Sequence, residues 1–483
     1  MNNQLNLDGQ LVESNLLESE LESSLLLDDS LNVRSPELQT LELNTKSVDS
    51  TNNLDLFADS ETETSPLYST PIALNTGDNE LPEDNELPGD NEPEILPDES
   101  TDMPVEEPNV PLTETITVGN PEGTQFTFNF AEDTSQEVID GLAQAGENWS
   151  SVLKDDVNIN IDFAFEPIDG LLGSILGIAN PNFVPIPYTE VNEALTQDIT
   201  STTDRTAVDN LPQGESVNYL INNTAENNGS DTPYLDDNGG LNNSNISLTS
   251  ANAKALGISL EERAAQRGAS VEDFTAVLNA RYGTEIDPNA PDARPVFNSN
   301  ANWDFDPSDG ITSDASDFVG VVTHELGHAL GFFSNAEILD LATVNTVLDI
   351  IERSSTEEIQ QLIADSGLQP IAEAIDVDRL VSENEYLPST MDLFRFTLPS
   401  VEQGARDFTT NNIDGKFFSI DGGQTEIAPL AEGLIGELNV GGFSHWQDNL
   451  GIGILDPTIV PGELGQISDN DLLALDVVGW DVA

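Results

Sequence analysis

The chain has 483 residues, of which 89 are Asp or Glu and 14 are Lys or Arg, so its formal net charge is −75 at pH 7. This charge excludes nucleic acids and anionic membranes as partners, because both attract positively charged proteins. The absence of cysteine excludes disulfides and thiolate metal sites. No apolar stretch approaches the roughly 18 residues of a membrane span, so we expect a soluble protein, with a monomer as the default.

The N-terminal region, residues 1–112, is acidic and of low complexity. Within it a hexad recurs between residues 77 and 94, as GDNELP, EDNELP and GDNEPE. Proline interrupts helices, like charges repel, and little apolar surface is present to bury. We therefore predict a disordered acidic linker. The chain does not begin with a positive segment followed by an apolar one, so an ordinary secretory signal peptide is not predicted.

From residue 113 the sequence changes to alternating and helical patterns, which predict an α+β domain over residues 113–483. A motif described below divides this domain into an N-terminal part, 113–331, and a C-terminal part, 332–483. Apolar alternation predicts strands, three- and four-residue apolar steps predict helices, and Gly, Pro and Asn mark loops. The predicted strands are 115–118, 126–130 and 157–163, the helices are 138–149, 191–195 and 270–282, and the loops are 166–186 and 222–245.

Residues 324–328 read His-Glu-Leu-Gly-His and contain two of the three histidines in the chain. Histidines four residues apart lie on one face of a helix, where both imidazoles can bind a single zinc ion. Zinc lowers the pKa of a bound water to about 7. Glu325 is then placed to act as the general base that moves its proton.

The flanking pattern predicts that this motif lies on a buried helix. Asp314, Ser316 or Asp317 is suited to cap its N-terminus. Farther along the chain, the C-terminal helix is predicted to begin at Ser468, with Asp471 completing a capping box. The residues predicted to face the core from the motif helix are Val319, Val322, Leu326, Ala329, Leu330 and Phe333.

A catalytic zinc site has three protein ligands and one open position, so a third ligand is required. His445 is the remaining histidine. It follows a Gly pair that lets the backbone approach a metal closely. We favour His445, since a neutral imidazole matches the other two ligands. Glu352 and Glu357 stay open as alternatives, by analogy with gluzincins, and Asp340 is a further one.

Residues 324–331 form the pattern HExxHxxG, which resembles the metzincin metalloproteases. In these enzymes a third His follows the Gly by three residues, whereas Ser334 stands there in this chain. The combination of HELGHALGF with a distant SHW and ILDPT is similar to leishmanolysin-type metzincins, in which the third His is far downstream. Related secreted bacterial, largely cyanobacterial, metalloproteases are similar over about 115–483, including residues 392–396, 404–408, 419–423 and 471–480.

The resemblance implies a metzincin-like (zincin) catalytic domain with a helical insertion at about 337–367. It implies a zinc site formed by His324, His328 and His445, with Glu325 as general base. It further implies an extracellular location and protein or peptide substrates. Leu455 takes the place of the metzincin Met below the metal and offers a similar apolar volume.

These features predict a zinc-dependent endopeptidase. Two alternatives remain, a non-catalytic zinc-containing extracellular binding or adhesion protein and a metal hydrolase that acts on a non-peptide amide. An extended stretch at 297–305 is a candidate edge strand for pairing with a peptide substrate. The spacing of Asp304, Asp306 and Asp309 suggests a stabilising Ca²⁺, although the EF-hand glycine is missing.

Overall fold

The computed structural model describes residues 111–168, 175–282, 284, 286–336, 382–410, 415–431 and 442–483. The architecture is mixed α+β, built of small sheets and helices, in agreement with the predicted class. The described residues include no helix that is both long enough and apolar enough to cross a membrane. The predicted acidic linker, apart from its last two residues, and the predicted helical insertion lie outside the described residues.

The helices and strands are numbered here in chain order. The helices are α1 (Gln136–Ser150), α2 (Tyr188–Gln197), α3 (Thr202–Asp209), α4 (Leu241–Ser244), α5 (Ser250–Ala255), α6 (Leu260–Gln266), α7 (Val271–Tyr282), α8 (Phe318–Ala329), α9 (Leu398–Glu402) and α10 (Asp469–Val478). The strands are β1 (Leu112–Gly119), β2 (Gln125–Ala131), β3 (Asn158–Asp162), β4 (Ala164–Glu166), β5 (Gly177–Ile178), β6 (Phe183–Pro187), β7 (Tyr219–Ile221), β8 (Tyr234–Asp236), β9 (Asn245–Thr249), β10 (Val296–Asn298), β11 (Trp303–Asp304), β12 (Ser316–Asp317), β13 (Arg395–Phe396), β14 (Arg406–Phe408), β15 (Phe417–Phe418) and β16 (Ala428–Pro429).

The first sheet and helix α1 form the layer on which the motif helix α8 lies. Strand β2 pairs antiparallel with β1 and parallel with β3. Alternate residues of β2, including Phe126 and Phe128, are fully buried, as the alternating pattern predicts. Each such ring contributes roughly 2–3 kcal/mol through its burial. The indole Nε1 of Trp149, at the end of α1, donates to the Thr323 carbonyl at 2.8 Å and so fixes α1 against α8.

The remaining strands form small sheets that join distant parts of the chain. The strand orders are β4-β10-β5, β14-β7-β8, β13-β15-β16, β6-β9 and β11-β12. Strand β14 runs parallel to β7, so residues 406–408 share a sheet with residues 219–221. The C-terminal part of the chain is thereby tied to the N-terminal part.

Two segments predicted as loops contain regular structure. Residues 166–186 include β5 and most of β6, and residues 222–245 include β8 and α4. The second segment is Asn-rich, which favoured a surface loop, yet its asparagines are used to satisfy buried backbone. Asn222 is fully buried and donates to the Thr410 carbonyl at 3.2 Å, and Asn243 donates to the Val217 carbonyl at 2.9 Å. Those predictions were wrong. In the Asn-rich segment the reason is that the sequence does not distinguish an asparagine that hydrogen-bonds buried backbone from one in an exposed turn.

The residue after the cap of helix α10 is hydrogen-bonded to the C-terminal end of the motif helix. Ser468 and Asp471 form the predicted capping box, and Gly479 ends the helix in the left-handed conformation with φ of 109°. Trp480 then donates from Nε1 to the Leu330 carbonyl at 2.7 Å. The C-terminal helix therefore supports the segment that carries the histidine pair.

Candidate metal centre

The motif helix α8 is buried along its whole length. It begins at Asp317, whose Oδ1 accepts the Gly320 amide at 2.9 Å, so Asp317 is the cap among the three predicted candidates. The second oxygen of Asp317 accepts the Gly465 amide at 3.0 Å. A helix buried on all sides and anchored at its N-terminus presents its side chains in fixed positions.

The structure brings the three histidines together. The Nε2 atoms of His324 and His328 are 3.0 Å apart, and each lies 3.2 Å from Nε2 of His445. His324 and His328 are buried, whereas His445 is partly exposed. Among the described residues, these three side chains form the group of His, Asp or Glu whose possible ligand atoms all lie within 4.8 Å of one another. Solvent therefore reaches one side of the group, at His445.

The hydrogen bonds of the two helix histidines fix their tautomers. Nδ1 of His324 lies 2.7 Å from the Ile454 carbonyl, and Nδ1 of His328 lies 2.8 Å from the Phe332 carbonyl. A carbonyl only accepts, so each Nδ1 carries the proton and each Nε2 presents a lone pair. Burial lowers the pKa of both rings, and for His328 burial and then the neighbouring His324 lower the pKa to about 3. Both imidazoles are therefore neutral at pH 7, the state that binds metals.

The arrangement fits a zinc ion. Two Nε2 lone pairs facing each other at 3.0 Å cannot hydrogen-bond, so a cation between them removes an unfavourable contact. Zinc–nitrogen bonds of about 2.0–2.1 Å at tetrahedral angles separate ligand nitrogens by about 3.3 Å, close to the distances in this cluster. The carbonyls that hold Nδ1 are the partners typical of metal-binding histidines.

Glu325 is buried beside this group and is approached closely by strand β5. A Cβ atom at Gly177 would lie 2.7 Å from Oε1 of Glu325 and 2.9 Å from its Cγ. Only glycine leaves room for the carboxylate at this place. Sequence patterns gave no indication of this contact, because Gly177 lies in the stretch predicted as a loop.

The third histidine is held by the segment that contains Ser334. The Ser334 amide donates to Oγ of Ser444 at 2.9 Å, and its hydroxyl donates to the buried carboxylate of Asp392 at 2.6 Å. The same hydroxyl accepts from Arg395 at 2.8 Å. Ser334, at the position where short-motif metzincins have a histidine, thus positions the residue next to His445.

A tight turn beneath the motif helix joins both halves of the centre. Leu455 is fully buried, and a Cβ atom at Gly327 would lie 2.8 Å from its Cδ2. Leu455 therefore packs directly under α8, at the place predicted from its position after His445. Its carbonyl accepts the Trp446 amide at 2.9 Å, which fixes the residue that follows His445.

The carboxylate of Asp471 organises this turn. It accepts the Ile454 amide at 2.8 Å, the Trp446 indole at 2.8 Å and the Ser468 amide at 2.7 Å. Since the Ile454 carbonyl accepts from His324, Asp471 connects the N-terminus of α10 to a histidine of the candidate metal centre. The sequence predicted only the capping role of Asp471, not its hydrogen bonds to Ile454 and Trp446.

Phe333 differs from its predicted role as a core residue. It is partly exposed, its ring centroid lies 6.4 Å from that of His328, and it packs against Phe183 at 5.1 Å. Phe183, together with Asn335 and Tyr386, also lines a cavity of about 630 Å³. An aromatic pair therefore lies between the histidines and this cavity.

The predictions of alternative metal ligands and of an edge strand remain to be compared with the structure. Glu352, Glu357 and Asp340, the alternative third ligands, lie outside the described residues. In the 297–305 stretch, expected to be an edge strand, residues 297–298 instead lie in the central strand β10, because β4 and β5 flank β10 on its two sides. Residues 303–304 of the same stretch form β11, which pairs with β12 in a two-stranded sheet.

The predicted calcium carboxylates take part in local turns. Asp304 accepts the amide and hydroxyl of Thr312 at 2.9 and 2.7 Å, and Asp306 accepts from Ser308. These hydrogen bonds lower the pKa of both carboxyls. Asp309 lies in the same loop and is exposed. Calcium binding by these residues stays a prediction.

Comparisons with protein-family models, with curated proteins and with solved structures found no match to this chain.

Proposed function

We propose that this protein is a zinc-dependent endopeptidase with a metzincin-like catalytic domain. The observation that carries the proposal is the convergence of three imidazoles on one point, with Glu325 directly after the first of them in a buried helix. His324, His328 and His445 would hold the zinc ion. An extracellular location and a zincin fold belong to the same proposal and rest on the sequence resemblance.

Each chain residue has a defined task in this proposal. Zinc, when bound, supplies a Lewis acid that acidifies water and polarises the scissile carbonyl. Glu325 accepts a proton from the attacking water and returns it to the leaving amine. The carbonyls of Ile454 and Phe332 hold the two helix histidines in the tautomer that leaves Nε2 free for the metal.

A peptide substrate is favoured over a small amide by the strand next to Glu325. Strand β5 is an outer strand of the sheet β4-β10-β5, and its Gly177 is in contact range of the Glu325 carboxylate. An extended peptide that pairs with an outer strand gains backbone hydrogen bonds along its length. Such pairing would carry its scissile bond past Glu325.

The second candidate is a non-catalytic zinc-binding protein. Structural zinc sites are closed by four protein ligands, whereas the described residues supply three, with His445 partly exposed. A carboxylate next to the ligands is also the group that a catalytic zinc site uses to move protons. Both features favour catalysis.

The test is the variant Glu325→Gln in the full-length chain, which keeps size and shape but removes the base. We expect one zinc per chain, as in the wild type, with hydrolysis of a denatured protein substrate lower by at least 100-fold. Glu262→Gln, in the capping box of α6, is a matched control that should remain fully active. Full activity of Glu325→Gln would refute the assigned base. Wild-type cleavage of small amides without cleavage of protein would favour the non-peptide hydrolase.

A further inference from the structure

His445 is held differently from the other two histidines. It is partly exposed and lies outside the helices and strands, whereas His324 and His328 are buried within α8. A metal site needs its ligands held to within about 0.5 Å by the residues around them. The position of His445 therefore depends on how its own segment of the chain is anchored.

Two buried cations contact Phe443, two residues before His445. The guanidinium carbon of Arg395 lies 4.8 Å from the centroid of the Phe443 ring, and Nζ of Lys416 lies 5.6 Å from it. All three side chains are buried. The face of an aromatic ring attracts cations, most strongly where both groups are shielded from water. The ring of Phe443 is thereby fixed by charged side chains as well as by packing.

The donors of Arg395 contact three other residues. Nη1 donates to Oγ of Ser334 at 2.8 Å, and Nη2 donates to the Thr409 carbonyl at 3.0 Å. Nε lies 3.3 Å from Oδ2 of Asp407, with which it forms a buried ion pair. A guanidinium is planar and rigid, so contacts in its plane and on its face hold it in one orientation. Arg395 thus joins the segment after α8 to strand β14 and to Phe443.

The contacts of Arg395 meet at the two residues that precede His445. Phe443 packs on the guanidinium directly. Ser444 is reached through Ser334, whose amide donates to Oγ of Ser444 at 2.9 Å. Ser334 also follows α8, which carries the other two histidines. A single buried side chain therefore connects the motif helix to the segment of His445.

We propose that Arg395 is the positioning residue for His445, which it holds at the metal centre through Phe443 and Ser334. This inference rests on the proposed zinc site. Lysine cannot take over the role, because a single ammonium group cannot bind the partners of a planar fork and lie over the ring at the same time.

Phe274→Leu is a matched control for Phe443→Leu. The ring of Phe274 is fully buried, with the guanidinium carbons of Arg263 and Arg267 at 5.1 and 5.2 Å from its centroid. In the described part of the chain, the hydrogen bonds of these two arginines lead to α2, β6 and α6, not to the segment of His445. Each substitution removes an aromatic ring beside two cations, so we expect both to lower the Tm.

The first readout is the position of His445 in the zinc-free, full-length chain. The chain contains three histidines, so histidine-labelled protein gives three ring signals to follow by NMR. We expect Phe443→Leu and Arg395→Lys to shift the His445 signal and to weaken its nuclear Overhauser contacts with the other two rings. Phe274→Leu should leave all three signals in place.

The second readout is zinc affinity, measured by chelator competition. It should fall by about 10- to 100-fold in Phe443→Leu and in Arg395→Lys, and stay unchanged in Phe274→Leu. A His445 signal and a zinc affinity that are unchanged in both test variants would overturn the proposal, as would an equal loss of affinity in all three variants. Either test variant decides the question if the other does not fold. A wild type that binds no zinc would refute the proposed function, and the NMR comparison would still show whether Arg395 positions His445.

Discussion

Glu325 keeps its position because residue 177 has no side chain. A Cβ atom at residue 177 would lie 2.7 Å from the Glu325 carboxylate, and the helix that carries Glu325 is buried along its whole length. The general base of the proposed reaction is thus set by a neighbouring strand as well as by its own helix. A displacement of about 1 Å at a catalytic group can cost about 100-fold in rate.

Gly177→Ala is therefore expected to reduce peptide hydrolysis by about 10- to 100-fold without loss of zinc, because it displaces the carboxylate but no ligand. Metal content and kcat measured on the same preparation check this. Gly146→Ala is the matched control, since its Cβ would lie 2.6 Å from Val118 in the core, away from Glu325. It should lower the Tm and leave kcat intact. Equal kcat in Gly177→Ala and the wild type would show that β5 does not constrain the base.

At the scale of elements, helix α10 and the turn at residues 453–457 act as one support for the metal centre. Asp471 connects them, because its two oxygens accept from the helix N-terminus, from Ile454 and from Trp446. Ile454 holds His324 and Trp446 follows His445, so one carboxylate orients proposed metal ligands from both halves of the site. Groups that orient metal ligands in this way affect metal affinity by about 10- to 100-fold.

Asp471→Asn should lower zinc affinity by about 10- to 100-fold and the free energy of unfolding by about 1–3 kcal/mol. The reason is that an amide NH₂ would face one of the buried N–H donors. Chelator competition gives the affinity, and denaturant unfolding of the zinc-free chain gives the stability. Glu262→Gln removes the same kind of capping carboxylate without a link to the histidines, so its zinc affinity should be unchanged. If both variants bind zinc as the wild type does, α10 does not orient the ligands.

At the scale of the whole molecule, the sequence was most informative where a local pattern decides the structure. Alternation located β1, β2 and β3, apolar spacing located α1 and α8, and the rarity of histidine singled out His445. These features depend on a few adjacent residues, or on a residue type that is scarce in the chain. The predicted α+β class followed from them.

What the sequence left open depends on contacts between distant segments. The Gly177 contact with Glu325 and the second role of Asp471 join residues with no shared local pattern. The Asn-rich segment was misread because buried capping amides and exposed turn amides have the same composition. The apolar spacing predicts Phe333 in the core only if the helix continues to residue 333. The helix ends at Ala329, so the spacing does not apply to Phe333.

The claim central to this account is that a site assembled from segments more than 100 residues apart binds zinc through three histidines. Zinc bound per full-length chain, measured against a competing chelator for the wild type and His445→Ala, tests it most directly. We predict one tightly bound zinc in the wild type and affinity at least about 100-fold weaker in the variant. Equal affinity would contradict His445 as third ligand and move that role to Glu352, Glu357 or Asp340. A wild type without tightly bound zinc would contradict the metal centre itself.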